Sequence, residues 1–100
     1  MKIYISGPMT GHKNFNRDAF NKEASRLESH GHVVLNPATL PSGLSQREYM
    51  DIDLAMLRAA DAILVLPGWQ GSAGATTEYH YAYKLELPVY TTLRYPPVAN

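Results

Sequence analysis

Residues 62–78 read AILVLPGWQGSAGATTE. The run Ala62–Leu66 is the most apolar in the chain, and with Pro67 and Gly68 behind it the pattern predicts a buried strand. Gly68, Gly71 and Gly74 then loosen the backbone around Ser72, which stands where a helix N-cap belongs, so a helix is predicted from about Ala73 to Leu87. Pro88–Thr92 returns as a last strand. Strand, loop, helix and strand in that order need a crossover connection, the signature of parallel pairing.

The same order extends upstream. Lys2–Ser6 is a β-branched and aromatic run stopped by Gly7-Pro8, a first strand. Phe20, Ala24 and Leu27 have helical spacing, predicting a helix over residues 14–30 with Gly31 just past its end. His32–Leu35 forms a short second strand, and PATLPSGLS (37–45) a loop. Ser45 and Glu48 make the capping-box pattern for a second helix running to about Ala60. The closing LRYPPVAN reads as a tail. The hundred residues are thus expected to form one α/β domain, an open parallel sheet of four to five strands flanked by helices on both faces, Rossmann- or flavodoxin-like.

Composition excludes several functions. Nine basic side chains against nine acidic ones leave no net charge to draw the chain to nucleic acid or an anionic membrane. The absence of cysteine removes disulfides, thiol catalysis and sulfur-ligated metal, and fits the cytoplasm. The apolar run in MKIYISGP is too short for a signal peptide or a membrane span. His12, His30, His32 and His80 share no ligand spacing with a carboxylate cluster, so no metal and no cofactor are expected.

Open parallel sheets hold ligands beyond the carboxyl ends of their strands, which here are followed by two glycine-rich loops. The first, SGPMTGH, contains Gly7 and Gly11 but neither a P-loop nor a dinucleotide fingerprint. In the second, GWQGSAG, Ser72 either only caps the helix or also holds a phosphate or sugar hydroxyl.

Two carboxylates fall on apolar stripes. Glu78 shares a helical face with Ala82 and Leu85, and Asp53 lies in line with Tyr49, Met56 and Ala60, whereas Asp51 faces elsewhere. A buried carboxyl must be hydrogen-bonded or protonated, and its pKa rises toward the range useful for acid catalysis. Two of them at one pocket suit glycosyl-bond chemistry, one attacking the anomeric carbon while the other moves the proton. Alternatively both accept loop N–H groups and pin the loops.

The stretches IYISGPMTG (3–11), DLAMLRAADAILVLPGW (53–69) and GSAGATTEYHYA (71–82) resemble the nucleoside 2-deoxyribosyltransferase superfamily over most of the chain. The similarity is greatest to a small phage- and prophage-associated branch labelled only as a domain of unknown function, and next to the 2-deoxynucleoside 5-phosphate N-hydrolases. The resemblance implies cleavage or transfer of the N-glycosidic bond of a 2′-deoxyribonucleoside or its 5′-monophosphate. It matches Glu78 to the nucleophile that attacks C1′, and Asp53 to the carboxylate that handles the proton or positions the sugar. Tyr4 matches a tyrosine that holds the nucleophile or sugar. Ser72 matches the serine that binds the 5′ end, with Gly74, Gly7 and the Thr10-Gly11 backbone as further substrate contacts and Met9 packing on the base. Thr10 stands where the hydrolases carry an arginine, which favours a free nucleoside. Sites shared between subunits imply a homodimer or larger homo-oligomer, in the host cytoplasm if the chain is phage-encoded. The rivals are a protein that sequesters a nucleotide without chemistry and an interaction module with a vestigial pocket.

Other residues stay open. Trp69 either stacks on a base or closes its loop against a neighbouring chain. Tyr79, Tyr81 and Tyr83 with Lys84 form either a dimer face or local packing. His12 reads as a solvated loop residue, and Asp61 as a structural residue at the turn into the third strand.

Overall fold

The computed structural model describes residues 1–99. Its layers follow from alternation in β1 (Lys2–Ser6), which turns Ile3 and Ile5 into one core and Tyr4 into the other, with all three and Ser6 fully buried. A strand covered on both faces belongs inside a parallel sheet. β1 pairs with β2 (Val33–Leu35) and β3 (Ala62–Val65), and β4 (Val89–Thr91) lies beyond β3. All four strands are parallel, in the order β2-β1-β3-β4.

Three helices cover the sheet. α1 (Arg17–Ser29) lays Phe20, Ala24 and Leu27 on the Ile3 and Ile5 face, while α2 (Gln46–Arg58) and α3 (Ala73–Lys84) contribute Leu57 and Ala82 to the Tyr4 face. The chain therefore leaves β1 toward one face and β3 toward the other, so their loops part and open a crevice at the carboxyl end of the sheet. This is the α/β architecture expected from the sequence, with four strands.

Element ends show where local signals suffice. α2 opens with the complete reciprocal capping box of Ser45 and Glu48. α1 begins three residues later than its periodicity predicts, because Asn14, Phe15 and Asn16 have φ of 50°, 53° and 61°. That left-handed stretch is tolerable for asparagine and costly for phenylalanine, and nothing in its composition announces it. Gly31, at φ +87°, ends α1 as a C-cap glycine should. α3 stops at Lys84, and Leu85, predicted inward, is 43% exposed because Glu86 turns left-handed just beyond it. Residues 37–45 contain a short 3-10 turn, Pro37–Thr39. Asp61 accepts the Lys2 N–H at 2.8 Å, tying the start of β3 to β1.

The C-terminal segment is docked rather than loose. Tyr95 donates its hydroxyl to the buried Glu23 at 3.0 Å, the Arg26 guanidinium lies 3.7 Å above its ring, and Ala99 N–H reaches the His30 carbonyl at 2.8 Å. His32, also buried, meets the N-terminal amine at 3.2 Å and the Pro97 carbonyl at 2.8 Å. Asn100, the last residue of the predicted tail, lies outside the described residues. Among the described residues no helix is long and apolar enough to cross a membrane.

Candidate active site

Ser6 ends β1 on the face covered by α3, and its hydroxyl donates to Glu78 Oε1 at 2.6 Å with both side chains buried. Glu78 is carried inward by the α3 stripe Ala75, Glu78, Ala82, all buried. On α2, Asp53 shares the buried stripe with Leu57 one turn later. Tyr4 precedes Ser6 on the same strand face, fully enclosed. Among the described residues its hydroxyl has no hydrogen-bond partner, and neither does Asp53 Oδ1. Tyr4, Asp53 and Glu78 line one cavity of about 240 Å³.

The electrostatics of that cavity are unusual. Burial pushes Glu78 up to about 8; the Ser6 hydroxyl bonded to it opposes the rise and the charge of Asp53 reinforces it. Burial likewise raises Asp53, to about 6. Both shifts run toward the protonated form, because the site takes two carboxyl groups out of water side by side. Burial first, then the adjacent carboxylates, lifts the Tyr4 phenol well above its ordinary range, so it stays protonated and available as a donor.

The cavity is closed by loops. Gly7, Met9 and Thr10 enter from behind β1, Ser72 and Gly74 from the start of α3. A Cβ on Gly7 would lie 2.8 Å from Leu66 Cβ, so glycine there lets the first loop pass the end of β3. Ser72 Oγ accepts the Ala75 N–H at 3.2 Å, capping α3 and leaving the hydroxyl hydrogen free to donate. Gly11 is absent from the lining. Its φ of +82° and the bond from His12 N–H to the Met9 carbonyl carry the loop away after Thr10.

Sequence reasoning missed one wall. Phe15, Arg17, Ser42, Gln46 and Tyr49 also line the cavity. Arg17 Nη2 donates to Ser42 Oγ at 3.1 Å, joining the start of α1 to the 37–45 loop. No spacing rule connects those two segments, and only the fold brings them together. Trp69 is not in the lining; it stacks on Tyr79 with ring centroids 4.5 Å apart. Tyr83 is 71% exposed, and His12 is exposed outside the cavity. Among the described residues no three His, Asp or Glu side chains gather to hold a metal ion.

Residues 1–91 match the model of a family described as a domain of unknown function, DUF4406. The chain belongs to this family. Its fold is shared with the 2-deoxyribosyltransferase of Leishmania mexicana, at TM-score 0.72 and 23% identity over 90% of this chain and 62% of that one. A 2-deoxyribosyltransferase of Bacillus psychrosaccharolyticus gives TM-score 0.71 and 21% identity over 91% of this chain and 71% of the other. The chain thus spans less than two thirds of the Leishmania enzyme's length. A comparison with curated protein sequences finds no match. At these identities the likeness establishes a common fold for this family member and the two transferases.

Proposed function

We propose that this family member cleaves or transfers the N-glycosidic bond of a 2′-deoxyribonucleoside or its 5′-monophosphate through a covalent ester on Glu78. One observation carries the proposal: two carboxyl groups, Asp53 and Glu78, are buried together in the crevice cavity, with Glu78 held by the Ser6 hydroxyl at 2.6 Å. The activity in the names of the two similar transferases supports it.

In the first step a Glu78 oxygen attacks C1′ as the C1′–N bond breaks. The bonding pair leaves with the base, and Asp53 supplies its proton. The attack requires the proton on Asp53 and the charge on Glu78, the reverse of the order in which burial raises the two groups, and the Ser6 hydroxyl donating to Glu78 stabilises that ionised form. In the second step water or another base attacks C1′, Asp53 takes up the proton, and the C1′–O bond to Glu78 breaks. Ser72 and the Gly74 backbone hold the 5′ end of the sugar, Met9 covers the base, and Gly7 and Thr10 complete the wall. The subunits associate as a homodimer or larger homo-oligomer.

The test incubates the protein with each 2′-deoxynucleoside and its 5′-monophosphate, beside Glu78→Ala, and follows free base by chromatography. Base released by the wild type alone is the expected result, and adding a second base separates hydrolysis from transfer. No release from any substrate by folded protein sinks the proposal, and ligand-raised melting without release turns it toward a sequestering protein.

A further inference from the structure

Asn14, Phe15 and Asn16, which lead into α1, have consecutive left-handed backbones, with φ and ψ of 50° and 36°, 53° and 30°, and 61° and 20°. Single left-handed residues are ordinary in turns, but a run of three makes most of a turn of left-handed helix, which the Cβ of each L-residue resists. Phe15 lacks both glycine's freedom and asparagine's short polar side chain. The run is held by Phe15 N–H donating to the His12 carbonyl at 2.9 Å and Asn16 Nδ2 to the Pro8 carbonyl at 2.9 Å. Arg17 Nη1, 3.4 Å from Asn14 Oδ1, adds a weak third bond.

The same residues favour a right-handed alternative. Their periodicity starts the helix at residue 14, and Asn14 is a favoured N-cap type; Asn16, the N-cap observed, makes no side-chain cap bond and reaches Pro8 instead. In a continued α1, Phe15 would stand five positions before Phe20, about 140° around the helix from it. That direction leaves the inward face shared by Phe20, Ala24 and Leu27. In the left-handed turn Phe15 instead lines the cavity, 49% exposed, outside both hydrophobic cores and with the Arg17 guanidinium 5.1 Å from its ring centre. The strained backbone is thus what puts this ring in the cavity wall, and no core burial accounts for it.

We infer that residues 14–16 are a strained gate: the left-handed turn holds the Phe15 ring in the cavity wall, and relaxation of the turn into α1 swings the ring away and opens the site. Hinges of this kind sit at element ends, where a few residues absorb a large change in φ and ψ. An occupant gives the exposed ring an apolar surface to cover and so favours the strained state, whereas an empty cavity lets the turn exchange with its helical form. Asn16 couples the gate to the first loop, because its bond to the Pro8 carbonyl belongs to the strained state and is adjacent to Met9, another wall residue. The identity of the occupant rests on the glycosyl-transfer proposal; the two states of the turn do not.

Two substitutions push the gate in opposite directions, and backbone NMR on the ligand-free protein reads the result. Asn16→Ala removes the Pro8 bond and installs a strong helix former, so the Cα shifts of residues 14–16 move to helical values. Asn14→Gly relieves strain in the left-handed state and weakens the helical one, so microsecond-to-millisecond exchange broadening at residues 14–16 of the wild type disappears. Left-handed shifts retained in Asn16→Ala, or wild-type exchange unaltered by Asn14→Gly, overturn the gate; the second measurement decides even if the first variant fails to fold. Ligand dissociation is then followed in Glu78→Gln, which cannot form the ester, with the tightest-bound 2′-deoxynucleoside or 5′-monophosphate. Phe15→Ala speeds it about three- to tenfold, the range of one aromatic contact, and an unchanged rate overturns the gate. No binding and no base release from any of these compounds defeats the glycosyl-transfer proposal and leaves the gate to be decided on the free protein. Base release by a protein whose residues 14–16 show a single state does the reverse.

Discussion

Glu23 and Glu78 are almost equally buried, 7% and 5% exposed, on helices that cover opposite faces of the sheet. Their surroundings differ. Glu23 accepts from Tyr95 at 3.0 Å and has Arg26 at 4.0 Å, so its charge is answered and it anchors the C-terminal segment. Glu78 meets a second carboxyl, a single short hydroxyl bond and a phenol with no partner of its own. Burial of a carboxylate is therefore a poor signal of chemistry; unanswered polar groups around it are the better one.

The largest effect should separate the two faces in activity. Asp53→Asn removes the proton donor and is expected to lower base release by ~10²–10⁴-fold, whereas Glu23→Gln leaves it within about threefold, since isosteric changes remote from the chemistry shift barriers little. Similar losses in both, measured on folded protein, would erase the distinction.

The next effect is on stability. The folded-state pKa of Glu78 is raised from 4.5 to about 8, so as pH rises the unfolded chain loses this proton first. Stability from the neutral carboxyl is complete below pH 4.5 and is lost progressively up to about pH 8. Glu78→Gln, neutral at every pH, should therefore exceed the wild type by about 1–3 kcal/mol in urea unfolding above that window and match it at pH 4. A gain of equal size at both ends would show that Glu78 is not strained by ionisation.

The smallest effect sharpens the contrast within the site. Ser6→Ala removes the hydroxyl that stabilises ionised Glu78, so the acid limb of the rate profile should move up by about one pH unit. A uniform fall in rate with an unmoved limb would make Ser6 a packing residue only.

Much of this was legible because its causes are local. Apolar runs ended by Gly and Pro mark β1 and β3, Ser45 and Glu48 lie within one turn of each other, and the spacing around Asp53 and Glu78 marks their inward faces. The left-handed stretch 14–16, the outward Leu85, the departure of Gly11 and the docking of Tyr95 were not legible. Each depends on what the chain meets after it folds, and a residue's identity carries no record of that.

The order of strands and helices, and the inward placement of two carboxyls, follow from hydrophobic period and capping chemistry acting over a few residues. Which groups those carboxyls meet does not. Ser6 and Glu78 are 72 residues apart and come within 2.6 Å only because β1 and β3 pair in register and α3 folds back over β1. Arg17 reaches Ser42 by the same kind of closure between separate elements. Hydrogen bonds and charge pairs act over a few ångströms, so the chemistry of the cavity was settled by packing rather than by the pattern along the chain.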